Sequence, residues 1–524
     1  MIGTTCLLNI AIYTSRHEYR YYEKIVYSNS KSTFLSNSSF SIQMGSQGRR
    51  LHVMFFPLLA YGHMIPTLDI AKLFASRGAK ITIATTQLNA PTFTRAIDQT
   101  NYGEIKVHVY SFPGKEAGLP EGVENFDTLT DEAMVNNFTK AIDMLEGTLE
   151  QLVEDYKPNC LVADLFFPWA TDVASKFNIP RLVFHGSSFF PFCIWENIRL
   201  YEPHKKVSAD DEEFLVPNLP HEIRLLRSQV AKQDFQDTDD EGTRFVKRAL
   251  EAEKKSFGII MNSFYELEPD YVDYYRNVMG KRAWHVGPVS LSNRNIEDKA
   301  RRGKKSAIDE DECLKWLNSK EPNSVIYISF GSITKFSIAQ LHEIAGSLES
   351  SGQEFIWVVR GCKDEGVTEE EWFPEGFENR MQGKGLIIKG WAPQVLILDH
   401  KATGAFMTHC GWNSTLEGIS AGVPLVTWPV FGEQFYNEKL IVEILKTGVP
   451  VGNKKWTQIG EVADIITKEA IESAVQRVMQ GEEAVEIRRR AMELMELARK
   501  AIQEGGSSYR DMSVLFEELS QCQA

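Results

Sequence analysis

Hydrophobic and polar positions first fall into a regular order at Leu51. The run LHVMFFP is continuously apolar and reads as a buried strand. The loop LLAYGHMIP follows. A helix is predicted over Thr67–Ser76, with Leu68, Ala71 and Phe74/Ala75 on one face and Gly78 as its stop. KITIAT then supplies a second strand. A strand, helix, strand series of this kind implies a parallel sheet. Further strands are predicted at Ile105–Ser111, Cys160–Ala163 and Arg181–His185.

A polar, charged stretch (SLSNRNIEDKARRGKKSAIDEDE) interrupts the pattern and reads as a linker over 288–312. A second α/β series opens with SVIYISF at Ser324–Phe330. It continues with predicted strands at Phe355–Val359, Gly385–Ile388, Ala405–Thr408 and Pro424–Trp428. Helical periodicity then runs from about Lys468 to Gln503 and stops at Gly505-Gly506. A short amphipathic stretch, Met512–Leu519, closes the chain. The expected fold class is α/β, with two doubly wound Rossmann-like domains facing a cleft: residues 51–287, then the linker, then 313–504. A C-terminal helix within 505–524 is expected to pack back on the first domain. Residues 1–50 are expected to form a disordered extension. They are Ser- and Tyr-rich, and their apolar stretch Cys6–Tyr13 has no basic residue before it, unlike a secretory signal.

Composition narrows the function classes. The 524 residues are 43% hydrophobic and 24% charged, as in ordinary globular proteins. A net charge of −14 argues against a general nucleic-acid partner. No run reaches the length of a transmembrane helix. Seven cysteines without CxxC spacing suggest reduced thiols in a cytoplasmic protein, with neither a disulfide framework nor a zinc site.

The chemistry concentrates in the block WAPQVLILDHKATGAFMTHCGWNSTLEGISAGVPLVTWPVFGEQ, from Trp391 to Gln434. A strand ends at His409, a Cys410-Gly411 turn follows, and a helix is expected to open at Asn413-Ser414-Thr415. Exposed amides at such a helix start favour phosphate oxygens. His409 and the Ser414 hydroxyl add donors, Glu417 one turn on can accept from ribose hydroxyls, and an exposed Trp391 can stack a flat base. Taken singly, each of these residues is equally at home as a cap, a core tryptophan or a hydrogen-bonded histidine. Their density points to a nucleoside diphosphate site without a GxGxxG sequence, which also disfavours an NAD-linked oxidoreductase.

This block resembles the PSPG box, the sugar-nucleotide signature of plant family 1 UDP-glycosyltransferases, over the full length of the box. The resemblance extends across about Leu51–Leu519 and implies the two-domain GT-B fold. It implies that Trp391 stacks on uracil, that Ala392 reads the uracil edge through its backbone, and that Gln394 lies on the ribose side. It implies that Glu417 holds the ribose hydroxyls and that His409, Asn413, Ser414 and Ser332 contact the diphosphate. Trp412, Glu433 and Gln434 would hold the sugar hydroxyls, and glutamine at 434 accompanies glucose more often than galactose.

His63 lies beyond the first strand, where doubly wound sheets place reactive groups. A neutral imidazole there suits removal of a proton from a hydroxyl. On position alone it is also an ordinary loop histidine. Asp164, at a strand end among apolar neighbours, is a candidate partner, or else a helix cap. The resemblance assigns the two as a catalytic His–Asp dyad. Phe166, Phe167, Phe189 and Phe190 are candidates for an apolar acceptor pocket. The segments FHGSSFF, MNSFYELE and RAWHVGPVS are most similar to the scopoletin- and flavonoid-type phenolic glucosyltransferases, while saponin and other terpenoid enzymes share much of the pattern.

The implied activity is an inverting O-glucosyl transfer from UDP-glucose to a coumarin, flavonoid or other phenolic hydroxyl. It involves no permanently bound cofactor, no metal and, as expected here, a monomer. A catalytically silent UDP-sugar or aglycone binder is the contrasting reading, and the presence of both His63 and Asp164 argues against it.

Overall fold

The computed structural model describes residues 50–522 apart from 98–103, 232–240, 363, 365, 458–460 and 462. The extension read at 1–50 lies outside the described residues except for Arg50.

The first half is built on strands β1 (His52–Phe56), β2 (Lys80–Thr86), β3 (Ile105–Tyr110), β4 (Cys160–Asp164) and β5 (Arg181–Phe184). A small antiparallel pair, β6 (Glu213–Val216) and β7 (Ile223–Leu226), stands apart. Then come β8 (Gly258–Met261) and β9 (Ala283–His285). Seven of these form a parallel sheet in the order β3-β2-β1-β4-β5-β8-β9. β1 and β4 are buried along their whole length, as expected of strands covered on both faces. Helix Tyr61–Ser76 covers one face, with Met64, Leu68, Ala71 and Phe74 inward.

The second half repeats the plan. Strands β10 (Val325–Ser329), β11 (Glu354–Val359), β12 (Gly385–Lys389), β13 (Thr403–Thr408), β14 (Leu425–Thr427) and β15 (Gly448–Pro450) make a parallel sheet in the order β12-β11-β10-β13-β14-β15. One buried apolar cluster passes through both halves, from Val183 and Phe190 to Trp412 and Leu416. Helix Ser507–Gln521 returns to the first half. There Asp511 pairs with Arg276 and accepts from the His285 amide at 3.0 Å, and the Ser508 hydroxyl donates to the Gly287 carbonyl at 2.6 Å.

Several boundaries differ from the sequence reading. The first helix begins at Tyr61 and so contains His63, which had been placed in the preceding loop. Pro66 lies inside it, past the first turn, where a proline removes one bond of the helix ladder. The helical stretch from Lys468 comprises two helices, Lys468–Met479 and Gly481–Ala501, with Gly481 at φ +81° at the break. The stretch 288–312 is not a bare connector. It holds a helix, Ile296–Arg301, and its last residues already belong to the helix Glu310–Asn318.

Candidate active site

Each sheet has one point where strand order reverses, and ligand crevices form there, beyond the carboxyl ends of the strands. In the first sheet it lies between β1 and β4, in the second between β10 and β13. His63 follows β1 and Asp164 ends β4. Ser332 follows β10 and His409 follows β13. The four residues therefore come from the two switch points.

His63 Nδ1–H donates to Asp164 Oδ2 at 2.6 Å. The Asp164 side chain is fully buried, and its other oxygen accepts from the Phe166 amide at 3.2 Å. A buried carboxylate requires such partners. Burial pulls the His63 pKa down, but the charge and hydrogen bond of Asp164 outweigh it and the net shift is upward. The imidazole is held edge-on between the rings of Phe166 and Phe184, at centroid distances of 5.8 and 6.2 Å. Gly186 closes against it. Its φ is +75°, and a Cβ there would stand 2.7 Å from His63 Cε1.

The expected acceptor pocket needs correction. Phe166 is 36% exposed beside His63 and stacks on Phe245. Phe167, Phe189 and Phe190 are fully buried core residues. Phe167 packs edge-on against Phe56, Phe189 against Tyr275, and Phe190 against Tyr271. Phe189 and Phe190 start a helix whose first amides are held by the buried Glu268 carboxylate. Burial raises the Glu268 pKa to about 7. Phe245 was not found in the sequence, since one aromatic on a charged helix carries no signal.

In the second half, helix Trp412–Ala421 starts one residue earlier than expected, with Gly411 as cap. Asn413 and Ser414 therefore lie in its first turn. His409 is enclosed by Gly331 and Gly411, and a Cβ on either would overlap its ring. Burial lowers its pKa to about 3, so the ring is neutral. Gln394 Nε2 donates to Ser414 Oγ at 3.1 Å and to Glu417 Oε2 at 2.8 Å. Ala392 is buried beside them. Ser332 lies beside Asp127, a residue of the first half that accepts from the Tyr61 amide at 3.2 Å and whose pKa burial raises.

Some groups expected to face the donor are used within the protein. The Trp412 indole N–H donates to the Asn262 carbonyl at 2.7 Å. Gln434 Oε1 accepts from the Val430 and Phe431 amides. Pro66 lacks the N–H that would bond the Gly62 carbonyl in a regular helix, and Asn413 Nδ2 donates to that carbonyl at 2.6 Å. Glu433 is half-buried and close enough to His63 for its charge to act on the imidazole.

Trp391 is half-buried rather than exposed. Arg360 lies 4.4 Å from its ring centre and Tyr61 5.5 Å from it. Glu417 pairs with Arg302 of the linker, which also donates through Nε to Asp69 Oδ2 at 2.8 Å. Neither arginine was foreseen, because both act through partners distant in sequence. Among the described residues no group of three or more metal-ligating side chains converges, and no helix is long and apolar enough to cross a membrane.

A pair of parallel-sheet halves with this crevice defines a sugar-nucleotide transferase of the GT-B class. Residues 288–500 match the family model "UDP-glucoronosyl and UDP-glucosyl transferase", and the chain belongs to that family of glycosyltransferases. It is 55% identical over 473 residues to the scopoletin glucosyltransferase of Nicotiana tabacum, covering 90% of this chain and 98% of the relative. It is 54% identical over 479 residues to UDP-glucose flavonoid 3-O-glucosyltransferase 7 of Fragaria ananassa, covering 90% and 96%. The crystal structure of Glycyrrhiza uralensis UGT73P12 complexed with glycyrrhetinic acid 3-O-monoglucuronide superposes with a TM-score of 0.84 at 40% identity, over 90% of this chain and 96% of that one.

Proposed function

We propose that this chain transfers glucose from UDP-glucose to a phenolic hydroxyl of a small aromatic aglycone of the coumarin or flavonoid kind, inverting the anomeric centre. The observation that carries this reading is the His63–Asp164 pair at one switch point, facing the nucleotide block at the other. With Nδ1–H committed to Asp164, Nε2 is free to take a proton. The acceptor oxygen attacks the anomeric carbon from the face opposite UDP, its proton passes to His63, and the bond to the diphosphate oxygen breaks. The developing phosphate charge is met by the amides of helix Trp412–Ala421, by the Ser414 and Ser332 hydroxyls and by neutral His409.

In this reading Trp391, Ala392, Gln394 and Glu417 take the nucleoside. Asn413 serves the diphosphate, while Trp412, Glu433 and Gln434 frame the sugar. For Trp412, Asn413 and Gln434 that role requires either backbone groups or release of the internal bonds described above. Residues 51–287 form the acceptor half, 313–504 the donor half and 288–312 the linker. Phe166 and Phe245 wall the acceptor side. We also infer a cytoplasmic monomer. Free thiols support the compartment, and the supply of both halves of the site by one chain supports the monomer.

A second reading takes a bulkier, terpenoid-type acceptor with the same machinery. The similarity to the enzyme crystallised with glycyrrhetinic acid 3-O-monoglucuronide favours it. A mass-spectrometric screen with UDP-glucose, UDP-galactose and UDP-glucuronate against phenolics and triterpenes separates the two. Glucosylated phenolics are expected. Products from triterpenes alone would transfer the case to the second reading, and UDP-sugar binding without any product would favour a silent binder.

Gly186 gives a second prediction. Gly186→Ala adds a methyl where the imidazole lies and imposes φ +75° on a residue that resists it. Displacing the base by a fraction of an ångström is expected to lower kcat about ten- to a hundredfold with UDP affinity unchanged, as read by steady-state kinetics and calorimetry. Wild-type turnover in this variant would mean that the ring position does not limit the reaction.

A further inference from the structure

The linker does not pass around the cleft but enters it. Helix Ile296–Arg301 is tied to the second half by Lys299, whose ammonium lies 2.6 Å from Asp399. Beyond that helix, Arg302 bridges two buried carboxylates, Asp69 of the first half and Glu417 of the second, and is itself only 9% exposed. Gly303 lies against the indole of Trp391, so close that a Cβ would overlap the ring, and its carbonyl accepts from Arg95. Lys304 stands 4.2 Å over the ring of Tyr61. The Ala307 amide donates to the Trp391 carbonyl at 2.8 Å. A short run of chain therefore meets the ring assigned to the base and the carboxylate assigned to the ribose.

We propose that Arg302–Ala307 form a strap that occupies the nucleoside subsite and is displaced when a nucleoside diphosphate sugar binds. This rests on the nucleotide placement given above. Glu417 has one oxygen on Gln394 and the other on Arg302. Ribose hydroxyls gain that carboxylate only as the guanidinium leaves it. Gly303 lies against the indole and Arg360 over its ring, so a flat base reaches Trp391 only as one of them withdraws. The strap thereby lowers apparent donor affinity by the fraction of molecules in which it is open. It also ties the halves together, because Arg302 joins Asp69, on the helix that carries His63, to Glu417 of the second half.

Hydrogen exchange on the full chain with and without UDP tests this. The expected result is faster exchange in peptides spanning 302–309 together with slower exchange in those spanning 391–398 and 409–417. Protected box peptides with an unchanged or slowed linker would overturn the strap. Box peptides unaffected by UDP, with protection elsewhere, would instead overturn the nucleotide placement and the strap with it. In calorimetry Arg302→Met is expected to tighten UDP binding about fivefold or more, since Asn293 still donates to Asp69 at 2.9 Å and keeps that carboxylate paired. Weaker binding would make Arg302 a donor contact and refute the displacement.

Discussion

Replacing His63 with alanine is expected to lower kcat for glucosyl transfer by about 10²- to 10⁴-fold, the range supplied by a positioned general base. The His63 ring touches Asp164, Phe166, Phe184 and the space beside Gly186, and none of these belongs to the nucleotide block. UDP affinity should therefore stay near wild type, and a calorimetric titration of the variant checks it. The Asp164 carboxylate keeps the Phe166 amide as a partner, and water can enter where the partly exposed imidazole stood. A thermal melt should show a folded protein. Turnover within a factor of a few of wild type would remove His63 as the base. Loss of UDP binding along with turnover would point to a collapsed cleft rather than a missing proton acceptor.

The chain made its two sheets legible because buried parallel strands are continuous apolar runs that need no partner to be recognised. LHVMFFP and SVIYISF are such runs. The short strands Gly258–Met261, Ala283–His285 and Gly448–Pro450 were not read. The start of the first helix was hidden by Pro66. Its effect on the ladder is absorbed by Asn413, a residue of the other half. Site residues were legible where their spacing is local, as in the block Trp391–Gln434. The Phe189-Phe190 pair looked like pocket lining because aromatic content carries no direction, and the rings that they pack against, Tyr275 and Tyr271, are distant in sequence. Arg302 was unreadable for the same reason. A charged linker residue ordinarily lies in solvent, and its partners Asp69 and Glu417 are 233 and 115 residues distant.

Asp164→Asn is expected to cost nearly as much as loss of the base, about 10²-fold or more, and to move the pH profile as well. His63 acts only when neutral, so kcat/KM rises with pH through the His63 pKa. In the wild type Asp164 holds that pKa above the ordinary 6.5 against the pull of burial, and the acid limb should have its midpoint above pH 6.5. An asparagine cannot stabilise the imidazolium. Burial then prevails, and the midpoint should fall below 6.5 while the plateau drops, because the tautomer with Nε2 free is no longer enforced. The same pair has an opposite consequence for stability. A histidine whose folded pKa is raised stabilises the fold fully below pH 6.5 and loses that contribution as pH climbs through the folded value. The enzyme should thus be most active where the ion pair contributes least. Profiles of kcat/KM for the two proteins decide the matter. An acid limb that does not move would show that Asp164 does not set the protonation of His63.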